Sequence, residues 1–96
     1  MSGKSILRVG DLCTGHDGFH PRPCIEGSPN VFINGIPVHR VGDHWQTHTD
    51  GDSSHGGVTI GGSSSIFCNG KAVARTGDAI DCGSFCDKGS SNVFAG

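Results

Sequence analysis

The chain reads as a small all-β protein assembled from copies of one β-hairpin unit, and three observations say so. Residues 27–43 (GSPNVFINGIPVHRVGD) and 62–78 (GSSSIFCNGKAVARTGD) are near copies of each other. An Asn-Gly pair sits at the centre of each copy, between apolar runs. No segment shows the spacing of an amphipathic helix. Fragments of the same unit occur at Arg8-Val9-Gly10-Asp11 and at residues 89–94 (GSSNVF). A unit that cannot bury its own apolar face must stack on its copies. Pseudo-symmetric repetition follows, with the connecting segments hanging off as loops.

Asn34-Gly35 and Asn69-Gly70 supply two residues tolerant of positive φ, which a type I′ turn demands. Each copy is therefore expected to be a hairpin with a two-residue loop. In that register Ile33 faces Ile36 and Val31 faces Val38 on one side, with Phe32 and Pro37 on the other. Ile66, Phe67 and Val73 take the matching places in the second copy, and Val93-Phe94 repeat the pair a third time. Three walls around a common axis are predicted, with these apolar residues as ordinary core. The pairs Gly10-Asp11, Gly42-Asp43 and Gly77-Asp78 end the units and punctuate the strands. They lack the spaced oxygen ligands of a calcium loop. The Ser/Gly stretches 51–54 and 61–65 lie inside the repeat and read as turns. His39 lies mid-strand, where the second copy has Ala74, and is expected at the surface or in packing.

A single domain spanning 1–96 accommodates this pattern, with units at 27–43 and 62–78 and a partial unit at 89–96. Only 33% of the residues are hydrophobic and 17 are glycine. Such a chain needs a staple: a metal, disulfides or an oligomer. Net charge is −2 with scattered Lys and Arg, so no basic patch points to nucleic acid. No stretch has the length of a membrane span. The leading MSGKSILRVG has no apolar signal core, so synthesis in the cytoplasm without a signal peptide is expected.

The connecting segments hold most of the His and Cys. Residues 12–26 carry Cys13, His16, His20 and Cys24. Residues 44–60 carry His44, His48 and His55, and residues 79–88 carry Cys82 and Cys86. A rotation relating the units brings these segments to one end, where their side chains converge. Zinc suits such a set, because it takes four N/S ligands and a fully protein-bound tetrahedron is structural. Disulfides are the weaker reading of five cysteines without a signal peptide; Cys82–Cys86 and Cys13–Cys24 are the candidate bridges. The spacing alone does not choose the ligands.

The unit G-S-P-N-V-F-I-N-G-x-P-x-x-R-V-G-D resembles the PAAR-repeat family, over nearly the whole chain from Arg8 to Gly96. The tetrapeptide after the turn is Pro37-Val38-His39-Arg40 in one copy and Ala72-Val73-Ala74-Arg75 in the other. Both keep the arginine, and the second lacks the proline. The ending GSSNVFAG resembles the family's closing strand. The resemblance implies a small cone pinned at its apex by a structural zinc ion with three His and one Cys. His16, His48, His55 and Cys82 are the positions that match, with His20 and His44 as alternates and Cys13, Cys24 and Cys86 as extra thiols. It implies a monomer seated on a trimeric β-helical spike, VgrG-like or a phage central spike. Such a tip serves a type VI secretion system or a contractile phage tail and pierces the target membrane mechanically. The protein would then be secreted or built into a phage tail. Base contacts are expected from Ile6-Leu7, Val93-Phe94-Ala95 and the hairpins. A repeat that reaches both ends is expected of a bare tip, not of a tip fused to an effector. Two other classes compete: a zinc hydrolase using Asp17, Asp50 or Asp52 as base, and a disulfide-stapled secreted binding module.

Overall fold

A computed structural model describes residues 3–15, 21–49 and 54–96, with 48–49 and 54–55 described by backbone alone. Every strand belongs to a two-stranded antiparallel ladder, and no helix occurs among the described residues. β2 (Phe32–Ile33) pairs with β3 (Ile36–Pro37), and β6 (Phe67–Cys68) pairs with β7 (Lys71–Ala72). Ile33 stands opposite Ile36 and Phe32 opposite Pro37. The turn chemistry sets that register. Asn34 and Gly35 have φ of 56° and 77°, and Asn69 and Gly70 have 57° and 78°. Positive φ at both central residues defines the type I′ turn that matches strand twist.

A third ladder of the same kind has no turn. β1 (Lys4–Ser5) pairs with β8 (Phe94–Ala95), so Ser5 faces Phe94 where Pro37 faces Phe32. Sequence-distant segments thus complete a wall that each copy of the repeat makes locally.

A ring of backbone hydrogen bonds joins the three walls. The Leu7 N–H donates to the Ala74 carbonyl (2.9 Å), Ala74 to His39 (3.0 Å) and His39 to Leu7 (3.0 Å). All three residues are fully buried, and the closed triangle marks the pseudo-three-fold axis. Isolated bridges Ile6–Arg75, Arg8–Val38 and Arg40–Val73 seal the walls beside it. Chain crossings are tight enough to demand glycine. A Cβ at Gly27 would lie 2.7 Å from the Val38 carbonyl oxygen, at Gly62 2.9 Å from that of Val73, and at Gly89 2.7 Å from that of Ile6. The next residue in each case is a serine. Ser28, Ser63 and Ser90 each accept at Oγ from the amides two and three residues on, which turns the chain into the hairpin.

On the other side of the ring each wall carries an Arg-x-Gly-Asp turn with an internal ion pair. The distances are 3.0 Å for Arg8–Asp11, 2.7 Å for Arg40–Asp43 and 2.8 Å for Arg75–Asp78. Beyond these turns the segments expected to be loops are themselves paired. β4 (His44–Thr49) and β5 (Ser54–Val58) form the longest ladder, with an irregularity between Trp45 and His48. Leu12 pairs with Pro23 and Ala79 with Phe85 in the other two walls. Three further bridges occupy equivalent seams: Cys24–Trp45, Thr59–Ile80 and Cys13–Cys86.

The core is a narrow column. Leu7, Trp45, Ala74, Ile80 and three cysteines fill one part, and Ile6, Val38, Cys68, Val73 and Ala95 the other. The repeated aromatics are not in it. Phe32, Phe67 and Phe94 are 54%, 60% and 52% exposed, and Val31 and Ile66 are exposed as well. The expectation that these were core residues is therefore overturned. With the axis filled by Leu7, His39 and Ala74, walls two residues wide leave no space for three phenyl rings. Ile6, Leu7 and Ala95, expected to contact a partner at the base, are buried and cannot do so.

Candidate metal apex and aromatic base

The three tall walls are tied together near their far end. Ser84 Oγ lies 3.1 Å from Thr14 Oγ1 and accepts from the Gly15 N–H at 3.0 Å. The Val58 N–H donates to Asp81 Oδ1 at 3.0 Å. Gly57 permits this approach, since a Cβ there would stand 2.8 Å from Asp81 Oδ1 and 3.2 Å from Cys82 Cβ. Cys82 is partly exposed and is held against β5, the strand that carries His55. His48 stands directly opposite His55 in the ladder. His16 and His20 lie outside the described residues, as do the side chains of His48 and His55. Among the described residues no group of three or more His, Cys, Asp or Glu is placed to hold a metal ion. Asp17, Asp50 and Asp52, the bases suggested for a hydrolase, also lie outside.

The remaining titratable candidates have other partners. His44 is exposed and its Nδ1 lies 2.7 Å from Glu26 Oε1. That hydrogen bond holds the Glu26 carboxyl below the usual carboxylate range. Cys13, Cys24 and Cys86 are buried in the core, and all five cysteines are free. Burial pushes the Cys24 and Cys86 thiols up to about 12, so both stay protonated and pack as small apolar groups. Neither bridge suggested by the spacing is present; the structure sets Cys13 opposite Cys86 instead.

Of the two readings for His39, surface or packing, the structure selects packing, and its environment is specific. Its ring meets Trp45 edge-on, with centroids 5.1 Å apart. Nδ1 lies 2.8 Å from the Glu26 carbonyl oxygen, and Nε2 lies 2.8 Å from Thr59 Oγ1. A carbonyl only accepts, so Nδ1 carries the proton. Thr59 accepts from the Trp45 Nε1–H at 2.8 Å and donates its own proton to Nε2. A neutral imidazole completes the network, and burial lowers the His39 pKa. The unfolded chain takes up a proton as pH falls below roughly 6.5 and the native state resists it. Stability is thus full above that value and declines below it. From pH 7 to pH 5 the melting temperature is expected to fall, by about 4–8 °C for each kcal/mol lost. His39→Leu should flatten the part of that slope due to this ring. An identical slope in the variant would exclude His39 as its source.

At the opposite end, the turn asparagines lock neighbouring walls. Asn34 Oδ1 accepts from Arg8 Nη1 (3.1 Å) and Ser90 Oγ (2.7 Å), and its amide donates to Asn92 Oδ1 (3.0 Å). Asn69 makes the matching bonds with Arg40 (3.1 Å) and Asn30 (2.9 Å). In the third wall the Gly96 carbonyl takes the asparagine's place and accepts from Ser63 Oγ at 2.6 Å. This rigid frame presents Phe32, Phe67 and Phe94 at equivalent positions, one on each wall.

The sequence matches the profile of the PAAR motif in two stretches, 1–47 and 49–96. The chain belongs to the PAAR-motif family. No curated protein matches it. PAAR-motif proteins are structural, not catalytic, and the family is linked in general terms to metal binding and to spike proteins. The profile counts two halves where the geometry of this PAAR-motif protein counts three walls, because residues 4–5 and 94–95 build the third together.

Proposed function

We propose that this protein is a spike tip, one chain that caps the blunt end of a trimeric β-helical spike in a type VI secretion system or a contractile phage tail. It docks as a single domain, is assembled in the cytoplasm and leaves with the spike. The observation that carries this reading is the ring of three exposed phenylalanines on a pseudo-three-fold frame. A monomer with three equivalent apolar contacts can satisfy all three subunits of a trimer at once. Exposed apolar surface on so rigid a frame marks an interface. The short hairpins also leave strand edges that a partner's edges can cover.

In this proposal zinc sits at the apex, held by His16, His48, His55 and Cys82. The donor set suits the ion in kind, with imidazoles and a thiolate. The structure supports it by bringing Cys82 beside β5 and setting His48 opposite His55. Zinc would supply structural cross-linking of the three walls and no reaction chemistry.

Size-exclusion of the protein mixed with a VgrG-like or phage-tail spike trimer tests the docking. One chain per trimer is expected. Replacing Phe32, Phe67 and Phe94 together by serine should leave the fold intact, since all three are exposed. The same change should weaken binding by two orders of magnitude or more, at about 1–2 kcal/mol per ring. Undiminished binding by the triple variant would overturn the assignment of the base.

A further inference from the structure

We propose that Cys13 and Cys86 are a disulfide site that locks the Leu12–Pro23 wall to the Ala79–Phe85 wall when the protein meets an oxidising milieu. The inference rests on the geometry of the seam and not on the spike reading. Cys13 and Cys86 stand opposite each other in an antiparallel bridge. The hydrogen bonds there run from the Thr14 N–H to the Phe85 carbonyl (2.9 Å) and from the Asp87 N–H to the Leu12 carbonyl (3.0 Å). They flank the cysteines and do not join them, so this is the close, non-hydrogen-bonded type of pair. Its Cα atoms approach to about 4.5 Å. That lies inside the window of about 4.4–6.8 Å that a disulfide spans. Directly opposed residues project to one face, and both thiols are 2% exposed within the same apolar cluster.

The position is selective. The equivalent places on the other two seams hold Cys24 with Trp45 and Thr59 with Ile80, so this seam carries two thiols and the others do not. Cys68 belongs to the other cluster and Cys82 stands at the partly exposed end. The seam also matters mechanically. Residues 27–43 link the Leu12–Pro23 wall to the β4–β5 wall, and 62–78 link the β4–β5 wall to the Ala79–Phe85 wall. The Ala79–Phe85 wall returns to the Leu12–Pro23 wall with no covalent link, through hydrogen bonds such as Thr14–Phe85 and Asp87–Leu12 and through the β1–β8 ladder. A Cys13–Cys86 bond supplies the missing covalent link of the ring.

The oxidant is a disulfide such as oxidised glutathione. Cys13, whose Sγ accepts a hydrogen bond from the Arg22 N–H at 3.3 Å, passes its proton through solvent to the thiolate that leaves as its Sγ attacks that disulfide. Cys86 then attacks Cys13 Sγ, and its proton passes to the second thiolate as that leaves. Two protein thiols and one disulfide become one protein disulfide and two small thiols. Because both sulfurs are buried, exchange takes place during folding or through an opened seam.

The test refolds the full chain in zinc-containing buffer with a glutathione redox couple and maps linkages by mass spectrometry of a non-reduced digest. A Cys13–Cys86 linked peptide is expected, with a melting temperature raised by about 10 °C or more that reductant reverses. Cys13→Ser and Cys86→Ser should lose that rise, and Cys24→Ser should keep it. Five alkylatable thiols after oxidation, a different linked pair, or a bridge that leaves the melting temperature unchanged would each overturn the proposal.

Discussion

Stripping the proposed apical zinc from the purified protein is expected to unfold it at room temperature. The reasoning starts from the core. The buried apolar column is thin, and its largest member, Trp45, shares it with Leu7, Ile80, Ala74 and three cysteines. Below the apex, hydrogen bonds and ion pairs close the walls, and these exchange water contacts for protein contacts at modest net gain. A structural zinc site contributes apparent folding free energy on the order of 10 kcal/mol. That is comparable to the entire stability of an ordinary domain, about 5–15 kcal/mol. Trp45 is 4% exposed and lies along the walls that lead to the proposed apex, so its fluorescence reports the transition. Chelation should red-shift its emission as water reaches the ring, and added zinc should reverse the shift. Cys82→Ala and His55→Ala should behave as the chelated wild type does and carry no stoichiometric metal. A thermal transition that stays put with zinc demonstrably gone would sink the metal assignment. Stoichiometric zinc in both variants would show that other residues hold it.

What could be read from the residues was what is local. Asn34-Gly35 and Asn69-Gly70 dictated two hairpins in the correct register, because positive φ at two adjacent residues leaves one turn type. The third hairpin was half legible. Val93-Phe94 copies the first strand, but Lys4-Ser5 shares nothing with Ile36-Pro37, so its partner could be found only in three dimensions. Burial was misread where shape overrides pattern. Alternation makes Phe32 look like a core residue, yet the width of the axial column decides what fits. The backbone triangle of Leu7, His39 and Ala74 claims the axis first. His39 carried no signal of its own, since its equivalents are leucine and alanine. The paired tall walls were hidden for a similar reason. Cys13, Trp45 and Ile80 occupy equivalent places with unlike side chains, and no alternation betrays the strands. The proposed metal ligands follow from the family resemblance and not from spacing, because they come from three separate stretches of the sequence. The backbone adds one independent fact, the placing of His48 opposite His55.

The repeat's arginine and aspartate also had a role beyond turn-making. Asp43→Ala is expected to be the most damaging single substitution away from the apex, at about 3–5 kcal/mol. Asp43 is fully buried and Arg40 nearly so. One carboxylate oxygen accepts from the Arg40 amide at 2.9 Å and from Nε at 2.7 Å, and the other accepts from Nη2 at 2.9 Å. Deleting it strands a buried guanidinium whose remaining partners are Asn69 Oδ1 and the Gly27 carbonyl. Those two groups are neutral and cannot replace the lost charge. They also belong to the hairpin frame, so the defect spreads from the turn toward the base. The sister pair supplies the control. Arg8 and Asp11 are each 16% exposed, and water can solvate what Asp11→Ala leaves behind. That substitution should cost about 1–2 kcal/mol, nearer the range of partly solvated charged hydrogen bonds. Urea denaturation at constant m-value separates the two. Equal losses for the two variants would mean that burial of the second wall's ion pair adds nothing. A smaller loss in Asp43→Ala than in Asp11→Ala would reverse the ranking of the walls.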